Sequence, residues 1–494
     1  MSWCRRIRQR RAITNVNTLF LVIILIISCT LITNVDGDFY SFKDKSANAD
    51  DRLCFCQLKG TIDDCSCNVD TVDYFNNVKI YPRLQSLLTK DFFRYYKVNL
   101  KRKCPFWPDE HKCAMKFCHV QSCDQKQIPE GLKGETAPVY KYTLEAQEGG
   151  SCNEDLDIEL GFLNTSIDAT AKAAHQRWTE HDENRDNFCI LDDDEDDAEY
   201  VDLLLNPERY TGYKGESAHK IWRSIYLENC FMPYKPRKTS NVLIPFMEMA
   251  AGNGVCLEQR AFYRMVSGLH SSINIHLCRN YLLSEKRDAL GFGGSAQGEW
   301  GPNIDEFERR FSPQTTDNEG SYWLRNLYFA YLVELRALEK ITPYLEKEYY
   351  YTGYSSEDEE VKNAIMDLLN VIKSFPSHFN EAVMFSNGND SAMKLKQEFR
   401  EKFMNISRIM DCVGCDKCRL WGKLQTQGMG TALKILFSGN FDEPIDTTTK
   451  PPLIPAHDNK KFKLKRTEIV SLFNAFGRLS TSIYSLEAFR EHLR

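Results

Sequence analysis

The 494-residue chain has no surplus of positive charge: 63 lysines and arginines stand against 69 aspartates and glutamates, a formal −6. That argues against a nucleic-acid binder. It has no internal repeat, and little of the apolar–polar alternation that marks strands. Past the amino-terminal leader there is no apolar run long enough to span a bilayer. Outside the stretch Cys412–Cys418 there is no CxxC, so zinc ligation by two such pairs is disfavoured. A credible dinucleotide fingerprint is missing too. Gly291-Phe-Gly293-Gly-Ser-Ala296 formally matches GxGxxG/A, but it follows Lys286-Arg-Asp-Ala-Leu290 rather than an apolar strand, and no helical pattern opens after it. The last residues, Glu491-His-Leu-Arg494, are not a KDEL-type retrieval signal.

What the chain has is cysteine, 18 in all and mostly in short-range clusters. Such clusters suggest metal binding in a reducing cytosol and disulfides in an oxidising compartment. The amino terminus decides between them. Arg5, Arg6, Arg8, Arg10 and Arg11 precede an uncharged run of 15 residues, Thr18 to Ile32. A spanning helix needs about 20, so the run suits a signal-peptide core within a leader over residues 1–36, with an uncleaved membrane anchor as the alternative. Both readings place the remainder in the secretory lumen. The sequons at Asn164, Asn389 and Asn405 are compatible with that, as glycosylation sites. Losing Cys4 and Cys29 with the leader leaves 16 of the 18 cysteines. A core of this size does not need so many staples, so some of these thiols are expected to do chemistry.

Cys54, Cys56, Cys65 and Cys67 bracket eight residues that include Gly60, and read as nested structural disulfides or a four-cysteine zinc site. Cys104, Cys113, Cys118 and Cys123 follow in CPFWPDEHKCAMKFCHVQSC. Cys189 precedes the acidic run Asp192 to Asp197, read most simply as a solvated loop, with a weak calcium site as the alternative though no calcium-loop signature is present. From about Tyr200 the pattern is helical. Apolar residues recur at three- and four-residue spacing over Asn326–Glu348 and Met393–Met410, with further helices expected over Thr431–Phe437 and Ile469–Phe476.

In CVGCDKC, Cys415 and Cys418 lie three residues apart, on one face if helical. They are close enough to cycle between dithiol and disulfide. Lys417 and Arg419 add positive charge that favours thiolate. Cys412 would compete for Cys415 unless tied elsewhere. Cys113 and Cys118 are spaced by five, about 140° and about 7.5 Å apart in a helix, so a bridge between them requires non-helical backbone. With His111, Lys116 and His119 nearby, they read as an exposed thiol segment or as two ordinary staples. Two redox pairs imply a relay by thiol–disulfide exchange with a terminal acceptor such as a flavin. A pocket between helices would have to hold it, with Tyr210-Thr-Gly-Tyr213, Trp222 and Ser267-Gly-Leu-His270 as candidate linings that serve equally well as core or loop.

Together, CPFWPDEHKCAMKFC, YVDLLLNPERYTGYKGESAHKIW, NLYFAYLVELRALEK and CVGCDKCRLWGKLQTQGMGTALKILF resemble the endoplasmic reticulum oxidoreductins, flavin-dependent thiol oxidases that reoxidise protein disulfide isomerase. The likeness runs from about Cys54 to the C-terminal helices. It implies a mainly α, single helical domain over 54–494 with FAD in a helical core. A shuttle loop would span about 104–152, a flavin-binding region about 205–325, and the inner cysteines' region about 391–437. It implies that Cys113 and Cys118 take electrons from reduced protein disulfide isomerase. Cys415 and Cys418 would then pass them to FAD, and molecular oxygen would accept them as hydrogen peroxide. It implies regulatory disulfides Cys113–Cys152 and Cys118–Cys123, and structural ones Cys54–Cys67, Cys56–Cys65, Cys104–Cys412 and Cys230–Cys256. The flavin contacts carried over are Arg209, Thr211, Trp222, Ser267, His270 and Arg310. Where a further arginine is expected this chain has Trp323, so either the correspondence slips within Ser312–Tyr322, or another cation such as Arg325 serves, or the contact is lost. Cys189 and Cys278 are expected as buried thiols. No metal is expected, and the implied location is the endoplasmic reticulum lumen, peripheral on the luminal face of the membrane. The competing class is a disulfide-rich luminal binding protein; a zinc scaffold comes third.

Overall fold

The computed structural model describes residues 69–107, 118–133, 187–193, 195–209, 216–229, 257–285, 298–317, 319–376, 390–438 and 462–489. In chain order its helices are α1 Val69–Tyr74, α2 Tyr81–Leu88, α3 Asp91–Arg94, α4 Glu216–Glu228, α5 Leu257–Arg279 and α6 Ile304–Phe311. They continue with α7 Gly320–Leu345, α8 Ser355–Lys373, α9 Asp390–Met410, α10 Asp416–Leu436 and α11 Arg466–Phe489. The architecture is a single, mainly α domain. Two small antiparallel ribbons accompany the helices. One pairs β1 (Tyr95–Val98) with β2 (Glu199–Asp202), and the other pairs β3 (Tyr281–Glu285) with β4 (Gly298–Gly301).

The core is built by α5, α7, α10 and α11 packed on one another. The spacing over Asn326–Glu348 and Met393–Met410 does form helices, α7 and α9, each starting a few residues earlier than the pattern shows. By contrast, Thr431–Phe437 and Ile469–Phe476 are only parts of α10 and α11. Those two helices are buried nearly all round, so no polar stripe advertises their length. Their buried hydroxyls are satisfied within the helix: Thr431 Oγ1 donates to Gln427 O at 2.9 Å and Ser471 Oγ to Glu468 O at 3.0 Å. Small residues let the axes close. A Cβ on Gly428 would lie 2.3 Å from Ala475 Cβ, and one on Gly268 2.2 Å from Asn326 O. Ser272 and Ser482 hydroxyls meet at 2.9 Å between α5 and α11.

One sequence expectation holds and one needs correction. The Gly291–Ala296 stretch lies outside the described residues, but the strands before and after it, β3 and β4, pair with each other antiparallel, which removes the strand–helix context of a dinucleotide fingerprint. The acidic run is not simply solvated. Asp192 is buried and accepts from Asn99 N at 3.1 Å, Arg102 Nη2 at 2.8 Å and Lys423 Nζ at 3.1 Å. Asp411, also buried, faces Lys423 at 2.7 Å and Arg102 at 3.4 Å. This ion cluster clamps the 99–102 segment to α10. Among the described residues no helix is long and apolar enough to cross a membrane, and the amino-terminal leader lies outside them.

Candidate functional site

The inner cysteines sit at the start of α10, but not both inside it. Cys415 is the N-cap, with extended backbone (φ −94°, ψ 114°), and its Sγ accepts from Cys418 N at 3.4 Å. The sulfur thus meets one of the backbone donors that a helix start leaves without an intrahelical partner. The chain arrives there from a turn fixed by the Cys104–Cys412 disulfide, which joins residues 308 apart. Cys412 is therefore committed away from Cys415. Neither Cys415, fully buried, nor Cys418, half-buried, carries a disulfide. Arg419 does not flank the pair as expected. Its Nε donates to Val413 O at 2.8 Å and its Nη1 to Leu100 O at 2.6 Å, so it braces the turn. Lys417 does sit within reach of Cys415. Burial, then the neighbouring Arg209 charge, lowers its pKa, while Cys415 works in the opposite direction.

The Cys118–Cys123 segment reaches this place. Cys118 O accepts from Lys417 N at 2.9 Å, next to Cys418 in sequence. Asn206 fixes the approach. It accepts from Gln121 N through Oδ1 and donates to Gln121 O through Nδ2, both at 2.8 Å, while its own carbonyl accepts from Trp421 Nε1 at 2.9 Å. Ser122 bridges to Val201 and Cys123 N donates to Tyr200 O at 2.8 Å, so the segment lies along β2. Cys118 is disulfide-bonded and Cys123 is a free thiol, so the two are not bridged to each other in the structure. Burial, then the Asp202 charge, pushes the Cys123 thiol up.

A second group of expected residues gathers where α4, α5 and α6 meet. The Trp222 and His270 rings stack at 3.4 Å between centroids and 15°, and Tyr226 Oη reaches His270 Nδ1 at 3.4 Å. No third ring fits between the stacked pair as it stands; a ligand ring would lie on an outer face or part them. Burial, then the Arg310 charge, drives the His270 pKa well below 6.5, so its imidazole is neutral. Arg310 is held by Glu306 at 2.8 Å and by Asn274, whose Nδ2 donates to His270 O at 2.9 Å. Ser267 Oγ accepts from Asn326 Nδ2 at 3.0 Å. Arg209 stands apart, over the Trp300 ring at 4.9 Å. Trp323 is core, edge-on to Phe311 at 6.5 Å, and Arg325 covers Tyr322 at 4.9 Å.

Sequence reasoning did not find the polar cluster joining the two groups. Arg478 of α11, buried, donates to Gln425 of α10 and to Glu208, and Cys418 lies within its electrostatic reach. His276 of α5 approaches Glu208 Oε2 at 3.6 Å; burial first, then Arg478, holds its pKa down at about 3. Gln425 Nε2, Arg478 Nε, His276 Nδ1 and Glu208 Oε2 have no hydrogen-bond partner in the structure. Orphaned polar atoms this deep need an explanation. The polar edge of an isoalloxazine ring, with its carbonyl and ring-nitrogen acceptors, suits the orphaned donors on Gln425 and Arg478. The donor set therefore fits a flavin. The one sequence hint was Asn206-Pro-Glu208-Arg209, a polar tetrapeptide amid apolar neighbours.

The remaining expectations divide simply. Cys189 and Cys278 are buried thiols, as expected; burial pushes Cys278 up to about 12 and Cys189 higher still. Cys54, Cys56, Cys65, Cys67, Cys113, Cys152, Cys230, Cys256, Thr211, Asn164 and Asn389 lie outside the described residues. Asn405 is a correction. It is buried on α9, 6% exposed, and its Nδ2 donates to Asn229 Oδ1 at 3.2 Å, which leaves no room for a glycan.

Three comparisons bear on this geometry. The family model described as Endoplasmic Reticulum Oxidoreductin 1 matches residues 79–486. An Ero1-like protein of Drosophila melanogaster is 57% identical over 479 residues, 95% of this chain and 97% of that protein. The ERO1-like protein alpha of Homo sapiens is 49% identical over 453 residues, 90% and 92% of the two chains. A solved structure of Ero1p, described as a source of disulfide bonds for oxidative protein folding in the cell, superposes with a TM-score of 0.51 at 30% identity. That match covers 86% of this chain and 98% of Ero1p.

Proposed function

The chain belongs to the endoplasmic reticulum oxidoreductin family of disulfide-generating oxidoreductases, and on that premise we propose a relay of two thiol pairs ending at oxygen. Reduced protein disulfide isomerase opens the Cys113–Cys118 disulfide and leaves oxidised, its two thiols supplying two electrons and two protons. The reduced shuttle pair then exchanges with the Cys415–Cys418 disulfide, returning to its own disulfide and leaving the inner pair as a dithiol. Bound FAD supplies the two-electron acceptor that cysteines lack and the link to dioxygen, which departs as hydrogen peroxide. Arg209, Thr211, Trp222, Ser267, His270 and Arg310 would hold it, with neutral His270 and Trp222 offering ring faces.

The observation that carries this reading is the hydrogen bond from Lys417 N to Cys118 O at 2.9 Å. It brings a shuttle cysteine to the mouth of the inner pair. Lys417 and the N-terminus of α10 present positive charge where sulfur becomes anionic, which assists exchange. Asn206 docks the shuttle segment, and the Cys104–Cys412 bridge keeps a third thiol out of the exchange. Pairing Cys113 with Cys152 and Cys118 with Cys123 would take each shuttle sulfur from its productive partner and halt the relay. The work takes place in the endoplasmic reticulum lumen, with the protein peripheral on the luminal face of the membrane.

The test is oxygen uptake by purified full-length protein given reduced isomerase. Uptake should occur, stop on Cys113→Ala, and persist slowly in that variant with a small dithiol that reaches the inner pair directly. Normal uptake in Cys418→Ala would overturn the assignment.

A further inference from the structure

Buried ion pairs contribute little net stability compared with apolar packing, so an arginine and a glutamate kept together in this core call for another reason. Arg478 projects from α11 to the face of α10 that carries Cys418. Gln425, which accepts from Arg478 Nη1, lies seven residues past Cys418, two turns along the same helix face. Glu208 accepts from Arg478 Nη2, and the two residues are 6% and 3% exposed. The guanidinium is thus fixed on two sides. The remaining charged or titratable neighbours do not cancel it: His276, against Glu208, is neutral, while Lys417 adds positive charge near Cys415. The two inner sulfurs therefore face different cations. Cys415 caps the α10 N-terminus with Lys417 in reach, whereas Cys418 lies within the electrostatic reach of Arg478.

We propose that Arg478 is a positioning cation for the inner pair: held by Glu208 and Gln425, it stabilises negative charge on Cys418 and makes the Cys415–Cys418 disulfide easier to reduce. This rests on the relay proposed above. Stabilising the reduced form raises a dithiol couple's potential. Glu208 tempers the effect, so the two residues pull in opposite directions.

The experiment equilibrates full-length protein in glutathione buffers without oxygen and scores the inner pair by alkylation and mass. The reaction is dithiol plus oxidised glutathione giving the Cys415–Cys418 disulfide and two reduced glutathiones, which carry away the two thiol protons. The double variant Glu208→Gln/Arg478→Gln removes both buried charges together and should shift the equilibrium toward the disulfide by about tenfold, about 30 mV for a two-electron couple. Glu208→Gln alone should shift it the other way, and Arg478→Lys should stay within about threefold of wild type. A purely structural arginine would leave the equilibrium the same in every folded variant, which would overturn the proposal. If the double variant does not fold, the sign of the Glu208→Gln shift decides: a shift toward dithiol supports the proposal, and no shift or the opposite one refutes it. If the wild-type pair never forms a disulfide in these buffers, the relay itself fails, a result distinct from a cycling pair indifferent to Arg478.

Discussion

Replacing Lys423 by methionine should destabilise the protein by about 3–5 kcal/mol, as removal of one partner from a buried ionic cluster does. Its ammonium lies 2.7 Å from Asp411 Oδ1 and 3.1 Å from Asp192 Oδ2, and donates to Asn99 O at 2.9 Å. The side chains of Lys423, Asp411 and Asp192 are 6%, 0% and 8% exposed. At an effective dielectric of about 20 each contact is worth roughly 5–6 kcal/mol of gross attraction, most of it offset by desolvation. Methionine matches the lysine stem in bulk but leaves two carboxylates facing Arg102 alone. The measurement is urea unfolding followed by tryptophan fluorescence with disulfides intact, comparing midpoints at equal slope. The same variant should expose the Cys104–Cys412 bridge to dithiothreitol sooner, because Arg102 and Asp411 each stand within two residues of its cysteines. A loss under about 1 kcal/mol would mean that these carboxylates reach water when unpaired, refuting the burial reasoning.

Glu334 is fully buried on α7 with neither carboxyl oxygen bonded, and burial alone drives its pKa well above 4.5. A raised folded value gives a stability contribution that is complete below the unfolded value and lost as pH rises toward the folded one. Glu334→Gln, which stays neutral, should therefore match wild type in melting temperature near pH 4 and exceed it near pH 7.5; equal values at both would contradict this. Cys415→Ser and Cys415→Ala should both abolish turnover, but only alanine should also lose the N-cap, about 1 kcal/mol in urea unfolding. Equal stability of the two would deny Cys415 its capping role. Cys189 and Cys278 should resist iodoacetamide in native protein and react once it is unfolded, read by peptide mass; native labelling at the rate of an exposed thiol would show that the core opens there.

The thiols were legible in the sequence because cysteine spacing carries chemistry on its face: three cysteines in CVGCDKC leave one to be tied elsewhere, and Cys412 is tied to Cys104. Helices α7 and α9 were legible because apolar residues recur in them at three- and four-residue spacing with charged residues between, although α7 is itself buried nearly all round. Most of α10 and α11 was not, since many of their buried positions carry polar residues, among them Gln425, Thr426, Gln427, Ser471 and Asn474, which break the apolar spacing. The ion clamp on Asp192 and the Arg478–Glu208–Gln425 cluster were invisible for a related reason. Each joins residues tens to hundreds of positions apart, and charge in a sequence reads as surface until a fold brings its partner. Arg419 shows the converse error: adjacency to the inner pair suggested an electrostatic role, whereas its side chain turns to the carbonyls of Val413 and Leu100.

The relay meets its most direct test in anaerobic mixing of the full-length protein, loaded with FAD, with a small dithiol while the flavin band is watched. The band should bleach in wild type and in Cys113→Ala but persist in Cys418→Ala. Bleaching in Cys418→Ala at the wild-type rate, or a purified wild-type protein that carries no flavin band at all, would contradict electron transfer through the inner pair.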